Sequence, residues 1–404
     1  MANAVYVIGT MDTKGSEVQF VADAIRKWGL SVRTVDVGTL ADPTVSPDIE
    51  RSTVLAMGPQ GLGASLQGLE RGQAVEKMSL ALVEYLKKEY LDGELGGAIG
   101  LGGSGGTSLI TAALRAIPIG VPKVMVSTVA SGNIAPYVGC SDVFVCPSVV
   151  DVSGLNAVST KILTNAANAL AGMMNGAAPS YPTKPALGMT MFGVTTPCVT
   201  GVRQALEGMG YDCLVFHATG VGGQAMEGLV ESRFIEGLLD LTTTEVADEV
   251  VGGVFPAGSK RFDVLATRDI PCVMSVGAMD MVNFGAMHTV PEPFKDRKLH
   301  IHNSNVTLMR TTPDENRRCA QWMIAKLLRA RGPLTLLLPT LGVSALDAMG
   351  QPFHDPEANA VLFEELERGL AGRSNIRVER VPAHINDSAF IERAIQAFRE
   401  LRPS

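Results

Sequence analysis

The sequence predicts an α/β protein built from two Rossmann-like subdomains with mainly parallel sheets. Three observations carry that prediction. Short apolar runs alternate with amphipathic stretches along the chain, which is the pattern of strand–helix–strand units and parallel sheets. Glycine-rich or small-residue loops follow several of the apolar runs, most clearly at residues 100–108, Gly-Leu-Gly-Gly-Ser-Gly-Gly-Thr-Ser. The alternation breaks once, at 176–185, where three prolines fall in seven residues, and then restarts. This places one subdomain at 1–178, carrying a glycine-rich phosphate loop, and a second at 185–404.

Composition agrees. A chain of 404 residues has room for roughly two or three domains. Hydrophobic residues make up 46% and aromatic residues 5%, which suits an aliphatic α/β core. A net charge of −7 without a long basic run excludes a nucleic-acid protein. The first residues lack a basic n-region, and no apolar run approaches bilayer length, so no membrane partner is expected. The six cysteines (Cys140, Cys146, Cys198, Cys213, Cys272, Cys319) form no Cys-x-x-Cys pair. They read as reduced structural thiols of a cytoplasmic protein.

In the first half, Val5–Ile8 is an apolar strand. It is followed by a polar loop with Asp12 and Lys14, then by a helix with Val18, Val21, Ala22 and Ile25 on one face. A second strand covers 31–37. Residues 38–70 show little periodicity and read as a long loop or lid. A helix runs from Arg71 to about Glu89, and Arg71 at its start is either a phosphate contact or a solvated charge. The apolar run ending at Ile99 enters the glycine loop, and a helix follows from Leu109 to Ile117. Residues 123–128 form the next strand, with a small-residue loop at 127–132. Val143–Cys146 is another strand, and 150–174 has helical spacing.

The second half repeats this order. Strands are predicted at 186–192, 213–216, 236–241, 271–276, 334–339 and 376–381. The first four open into loops at 193–198, 217–223, 242–245 and 277–280. Residues 97–127 and 238–275 look like degenerate copies of one strand–loop–helix–strand unit. Loops at 341–357 and 384–387 follow the last two strands and could wall a cleft.

The loop at 100–108 carries the chemistry. It has few side chains, so backbone N–H groups can approach a ligand, and the following helix start adds positive partial charge. Together these form an anion site. Gly100-x-Gly102-x-x-Gly105 matches a dinucleotide fingerprint, but the next strand ends without the ribose-binding acid. The same stretch imitates a P-loop with Gly106 in place of the lysine. The phosphate contacts expected are Gly102, Gly103, Ser104, Gly105, Gly106 and Thr107, with Ser127, Thr128 and Ser131 behind them. Thr195, Gly220, Gly222, Gly223, Thr243 and Thr244 are expected to close over the ligand. Asp12, or Glu245 with Asp248 one helical turn on, are the candidates for Mg²⁺, though acids in a first helical turn also serve the dipole alone. His217, Glu245 and Asp12 are the candidate catalytic residues. His300 and His302 share a strand face but have no third ligand at zinc spacing. Cys198 follows Pro197 at a helix start, where the dipole could lower its pKa.

The motifs at Ile8–Lys14, 100–108, 127–132, 191–198, 216–223, 242–248 and 342–347 are similar to those of a known family. It is the family of the ATP-binding N-terminal domain of the tomato mosaic virus resistance protein, which also has bacterial and fungal members of unassigned function. The resemblance covers essentially the whole chain. It implies two Rossmann-like subdomains, ATP with Mg²⁺, and a homodimer. In the plant protein this domain binds and inhibits a viral replication protein, and a further barrel-like domain follows it.

The leading expectation is a nucleotide-binding protein holding Mg-ATP between its subdomains by the glycine loop, with slow or no hydrolysis. One alternative is a metabolic enzyme acting on a small phosphorylated or carboxylated substrate with His217 as acid/base. Another is an interaction module that nucleotide stabilises.

Overall fold

The computed structural model describes residues 3–59, 65–176 and 184–402. The chain divides into two compact units, Met1–Ser180 and Tyr181–Ser404. Most of the proline-rich stretch between them lies outside the described residues.

Unit 1 contains β1 (Ala4–Gly9), α1 (Met11–Arg26), β2 (Val32–Asp36), α2 (Arg51–Ala56), α3 (Arg71–Leu91), β3 (Leu95–Gly102), α4 (Ser104–Leu114), β4 (Lys123–Ser127), α5 (Ala135–Val138), β5 (Phe144–Pro147) and α6 (Ala157–Asn175). Its five strands are parallel, in the order β2-β1-β3-β4-β5. This is a doubly wound arrangement, and the strand order reverses between β1 and β3. Val5, Val7, Ile99, Leu101, Val124 and Val126 pack on one face of the sheet against α1 and α6. Tyr6, Ile8, Ala98 and Met125 pack on the other against α3 and α4. Strands covered on both faces need apolar side chains in both directions, which explains their continuous apolar runs.

Unit 2 contains β6 (Ala186–Met191), α7 (Thr196–Gly208), β7 (Asp212–His217), α8 (Val221–Glu231), β8 (Gly237–Thr242), α9 (Thr244–Val251), α10 (Val264–Thr267), β9 (Cys272–Gly277), β10 (Met281–Phe284), β11 (Leu299–Asn303), β12 (Val306–Arg310), α11 (Pro313–Leu327), β13 (Leu334–Pro339), α12 (Pro356–Leu370), β14 (Ile376–Val381) and α13 (Ser388–Leu401). Six parallel strands take the order β14-β13-β9-β8-β6-β7. Counted along the unit and read from β7, this is the order of unit 1 with one strand added. The paired segments at 97–127 and 238–275 supply the third and fourth strands of both units.

Two local readings are corrected. The stretch 38–70 contains the short helix α2, which buries Val54 and Leu55. Its Gln60–Ala64 portion lies outside the described residues. Between β9 and α11 unit 2 carries an antiparallel sheet, β10-β12-β11, that the α/β alternation does not announce. His300 and His302 lie on β11, but the pairing of β11 with β12 shifts register between Ile301 and Asn303, so the simple alternation that would put both rings on one face is interrupted there.

Candidate functional site

In open parallel sheets, ligands bind outside the strand C-termini where the order reverses. In unit 1 that point lies between the ends of β1 and β3; the stretches read as loops there are helical, with Asp12 in the first turn of α1 and the glycine-loop residues Ser104, Gly105 and Gly106 in the first turn of α4. Arg71, the exposed first residue of α3, belongs to the same edge, because a helix linking parallel strands starts there.

The glycines of this loop fall into two groups. A Cβ on Gly100 would stand 2.5 Å from Ile110, and one on Gly102 would stand 2.8 Å from the backbone at Gly106 and Thr107. Both are required for α4 to lie close on β3. Gly103, Gly105 and Gly106 have no such requirement. A Cβ on Gly105 would meet nothing within 4 Å, on Gly106 only Leu101 O at 3.7 Å, and on Gly103 only the Thr128 hydroxyl at 3.8 Å. None of the three has positive φ. Among the described residues no side chain caps α4, and the amides of Ser104, Gly105 and Gly106 in its first turn have no intrahelical acceptors. Ser104 is exposed.

The hydroxyls behind the loop are placed differently from expectation. Thr107 Oγ1 and Ser127 Oγ bond each other at 2.6 Å, and both residues are buried. The pair ties β4 to α4 rather than facing a ligand. Thr128 is half-buried beside the loop, and Ser131 is exposed in the turn beyond it. One oxygen of Asp12 accepts the amides of Leu40 (3.0 Å) and Ala41 (3.4 Å), and the other has a 3.4 Å contact with the Thr13 hydroxyl. Lys14 donates to the carbonyl of Val152.

Unit 2 fills its corresponding edge from within. Thr195 is fully buried and bonds Thr242 Oγ1 at 2.7 Å. Thr243 donates to Ser275 O, and Thr244 lies 3.5 Å from Met281 O. Glu245 has no exposed surface. Its Oε1 accepts Gly220 N (2.8 Å) and Gly223 N (3.2 Å) at the start of α8, and its Oε2 accepts Arg261 Nε at 3.1 Å. A carboxylate of the protein therefore occupies the helix-start amides. The glycines here are needed for packing: a Cβ on Gly222 would stand 1.8 Å from His217 O, and one on Gly223 2.3 Å from Arg261. Gly220 has φ +81°.

Asp248 is equally enclosed. It accepts Asn283 N (2.7 Å), Asn283 Nδ2 (3.1 Å) and Phe255 N (2.8 Å), and burial pushes its carboxyl up to about 7. Glu245 and Asp248 thus cross-brace loops and offer no accessible oxygen to Mg²⁺. His217 is exposed at the end of the edge strand β7, with Phe192 edge-on at 6.0 Å. No carboxylate orients its ring among the described residues. Cys198 is fully buried, and burial pushes its thiol up to about 12, overriding the helix dipole.

Sequence reasoning missed a buried cation. Arg261 bonds Glu227 at 2.6 Å, Asp240 at 2.7 and 2.9 Å, and Glu245. The readable signal was Asp240, an acid inside the apolar run Leu238–Leu241. A second network turns the 341–357 loop inward. Arg310 donates to Phe353 O and Asn359 Oδ1, and Asp347 accepts Val343 N and Asn359 Nδ2. Ser344 Oγ donates to Asp280 Oδ2 at 2.8 Å. Burial, and next the Asp347 charge, push Asp280 up to about 7.

Fold and site define a two-unit, doubly wound α/β protein with one open glycine cradle and one internally closed counterpart. The chain belongs to the uncharacterised protein family UPF0261: its N-terminal domain model matches residues 3–179 and its C-terminal domain model residues 184–402. A member from Rhizobium meliloti (strain 1021) is 51% identical over 98% of both chains. One from Clostridium tetani is 46% identical over 96% of both. The ToMV resistance protein Tm-1(GCR237) of Solanum lycopersicum is 45% identical over 99% of this chain, which spans 56% of the tomato protein.

Proposed function

We propose that the protein binds a nucleotide polyphosphate, ATP with Mg²⁺, at the glycine cradle of unit 1. The observation that supports this most is the second glycine group. Gly103, Gly105 and Gly106 have room for a Cβ and no positive φ, yet the chain keeps them as glycine beside the helix-start amides of α4, which no side chain caps among the described residues. Main-chain amides at a helix start bind phosphate oxygens. Kinship with the tomato protein adds to the reading, since the resemblance implies ATP there.

Of the three metal candidates, Asp12 fits best, because one of its oxygens has only a long hydroxyl contact. It would meet the ion as a single ligand, with waters and phosphate oxygens completing the shell, as Mg²⁺ usually requires. Hydrolysis is slow in this reading. Gly106 stands where a P-loop lysine would stabilise the transferring phosphoryl group, and Lys14 is engaged at Val152. A cytoplasmic homodimer is part of the same proposal.

The test is calorimetric titration with Mg-ATP on the wild type and Gly105→Asp. An aspartate in the first turn of α4 favours the helix dipole, so the variant folds. It also puts negative charge among the phosphates, and affinity falls at least about tenfold, a loss near 1.4 kcal/mol. Absence of heat and of thermal shift with any nucleotide removes the reading.

A further inference from the structure

Residues 254–262 cross the start of α8 as an irregular strap. Ala257 N donates to Glu245 O at 2.9 Å, Gly258 N to Glu249 Oε2 at 2.9 Å, and Gln224 Nε2 to Ala257 O at 3.2 Å. Pro256 O lies 2.6 Å from where a Cβ of Gly220 would be. The strap's anchor is Arg261, whose side chain is 1% exposed. It reaches three carboxylates from three elements: Glu227 of α8, Asp240 of β8 and Glu245 of α9.

One guanidinium cannot neutralise three buried carboxylates. With all three ionised the cluster holds two uncompensated negative charges out of water, and taking up a proton relieves that excess. Glu227 is the member placed to take it. Its Oε1 accepts both Arg261 Nη1 (2.6 Å) and Phe262 N (2.7 Å), while among the described residues its Oε2 accepts no bond, and its side chain retains 12% exposure. Asp240 and Glu245 side chains are 1% exposed and use both oxygens. Burial pushes Glu227 up to about 7, against the pull of Arg261.

The other groups around α8 do not replace it. On β9, Cys272 is fully buried and its thiol is held well above its ordinary value. β6 and α10 carry no titratable side chain, and β7 carries Asp212, Cys213 and His217. Of the strap's flanking charges, Glu249 bonds Gly258 N and Asp263 pairs with Lys326 and Arg329.

We propose that residues 254–262 form a proton-operated latch over the start of α8, held shut when Glu227 is protonated and loosened when it ionises. Opening withdraws Arg261 from Glu227, Asp240 and Glu245 Oε2 and releases the Phe262 amide from Glu227. In the closed state Glu245 occupies the Gly220 and Gly223 amides at the start of α8 and Arg261 holds its other oxygen.

The test is amide hydrogen exchange on the full chain at about pH 6 and pH 8, corrected for intrinsic rates, comparing wild type with Glu227→Gln. In wild type, the Ala257 and Phe262 amides exchange about tenfold faster at the higher pH, relative to Leu239 in β8, as linkage over one proton requires. Glutamine keeps the accepting oxygen but cannot ionise, so its strap exchanges equally at both. A wild-type strap without this pH response overturns the latch, as does a Glu227→Gln strap that responds as the wild type does. Carbon-13 carboxyl titration of Glu227 in the wild type provides a readout free of any folding defect, and ionisation complete below pH 6 also overturns the proposal.

Discussion

The two units share one strand order but treat their helix starts in opposite ways. In unit 1 the turn from β3 into α4 has room: a Cβ on Gly105 would meet nothing within 4 Å, those on Gly103 and Gly106 would make only ordinary contacts, and among the described residues no side chain caps α4. In unit 2, Glu245 fills the amides at the start of α8, Arg261 locks Glu245, and each neighbouring glycine is pressed against its own fold. The same residue type thus answers two demands. Where a Cβ would collide, glycine lets the protein pack against itself. Where it would not, glycine leaves room for something else.

The largest break in this comparison comes from alanine at the packed glycines. Gly222→Ala places a methyl 1.8 Å from the carbonyl of His217. The turn must move, at a cost of about 3 kcal/mol or more, beyond ordinary overpacking. Each unit holds one tryptophan, Trp28 and Trp322, so the loss can be assigned. In denaturant, the Trp322 transition shifts to lower concentration while that of Trp28 stays. Equal shifts of both transitions would mean that the units do not unfold separately.

Comparable in size is the effect of Arg261→Met. It leaves Glu227, Asp240 and Glu245 buried without a counter-charge, and removing one partner of a buried ion pair costs about 3–5 kcal/mol. The same fluorescence measurement checks it. A loss under 1 kcal/mol would show that water reaches the cluster and that the helix start of unit 2 is less closed than its burial implies.

A smaller effect separates the units by pH. Burial raises Glu227, Asp248 and Asp280 each to about 7, and raises Glu245 as well; all four belong to unit 2. A carboxyl raised in the folded state binds protons more tightly there than in the unfolded chain. Its contribution to stability is full below the ordinary carboxylate range and is lost as pH rises through about 7. The Trp322 melting temperature therefore falls between pH 5 and pH 8 by more than that of Trp28. A Trp322 melt independent of pH across this window contradicts the burial of these groups as acids.

The architecture was legible because alternation of apolar runs with helical spacing is a local pattern. The linker prolines and the glycine loop also announce themselves within ten residues. The antiparallel sheet of unit 2 was not legible, because its strands of four or five residues fall between two units of the larger alternation. Thr312 and Asp355 do cap α11 and α12 in readable fashion, each followed by proline. In the candidate site, residue type told which side chains suit phosphate or metal but not which way they turn. Thr107, Ser127, Thr195 and Glu245 have the right chemistry, and tertiary partners far along the chain already engage them. Arg261 escaped notice because its three carboxylates lie 16 to 34 residues away, each on a different element.

The smallest effect is the most discriminating. Gly105 lies in the first turn of α4 with ordinary helical φ and nothing within 4 Å of a Cβ. For the isolated fold alanine is the better residue, since it restricts the unfolded chain and favours the helix. Gly105→Ala then stabilises unit 1 by about 0.5–1 kcal/mol. The same methyl occupies the space proposed for a phosphate oxygen, so Mg-ATP affinity falls as stability rises. Opposite signs in the Trp28 denaturation curve and the calorimetric titration locate the need for glycine in the ligand and not in the fold. A stabilised variant that binds Mg-ATP unchanged places the ligand elsewhere. A destabilised one means that Gly105, like Gly222, serves packing, and the contrast between the two units disappears.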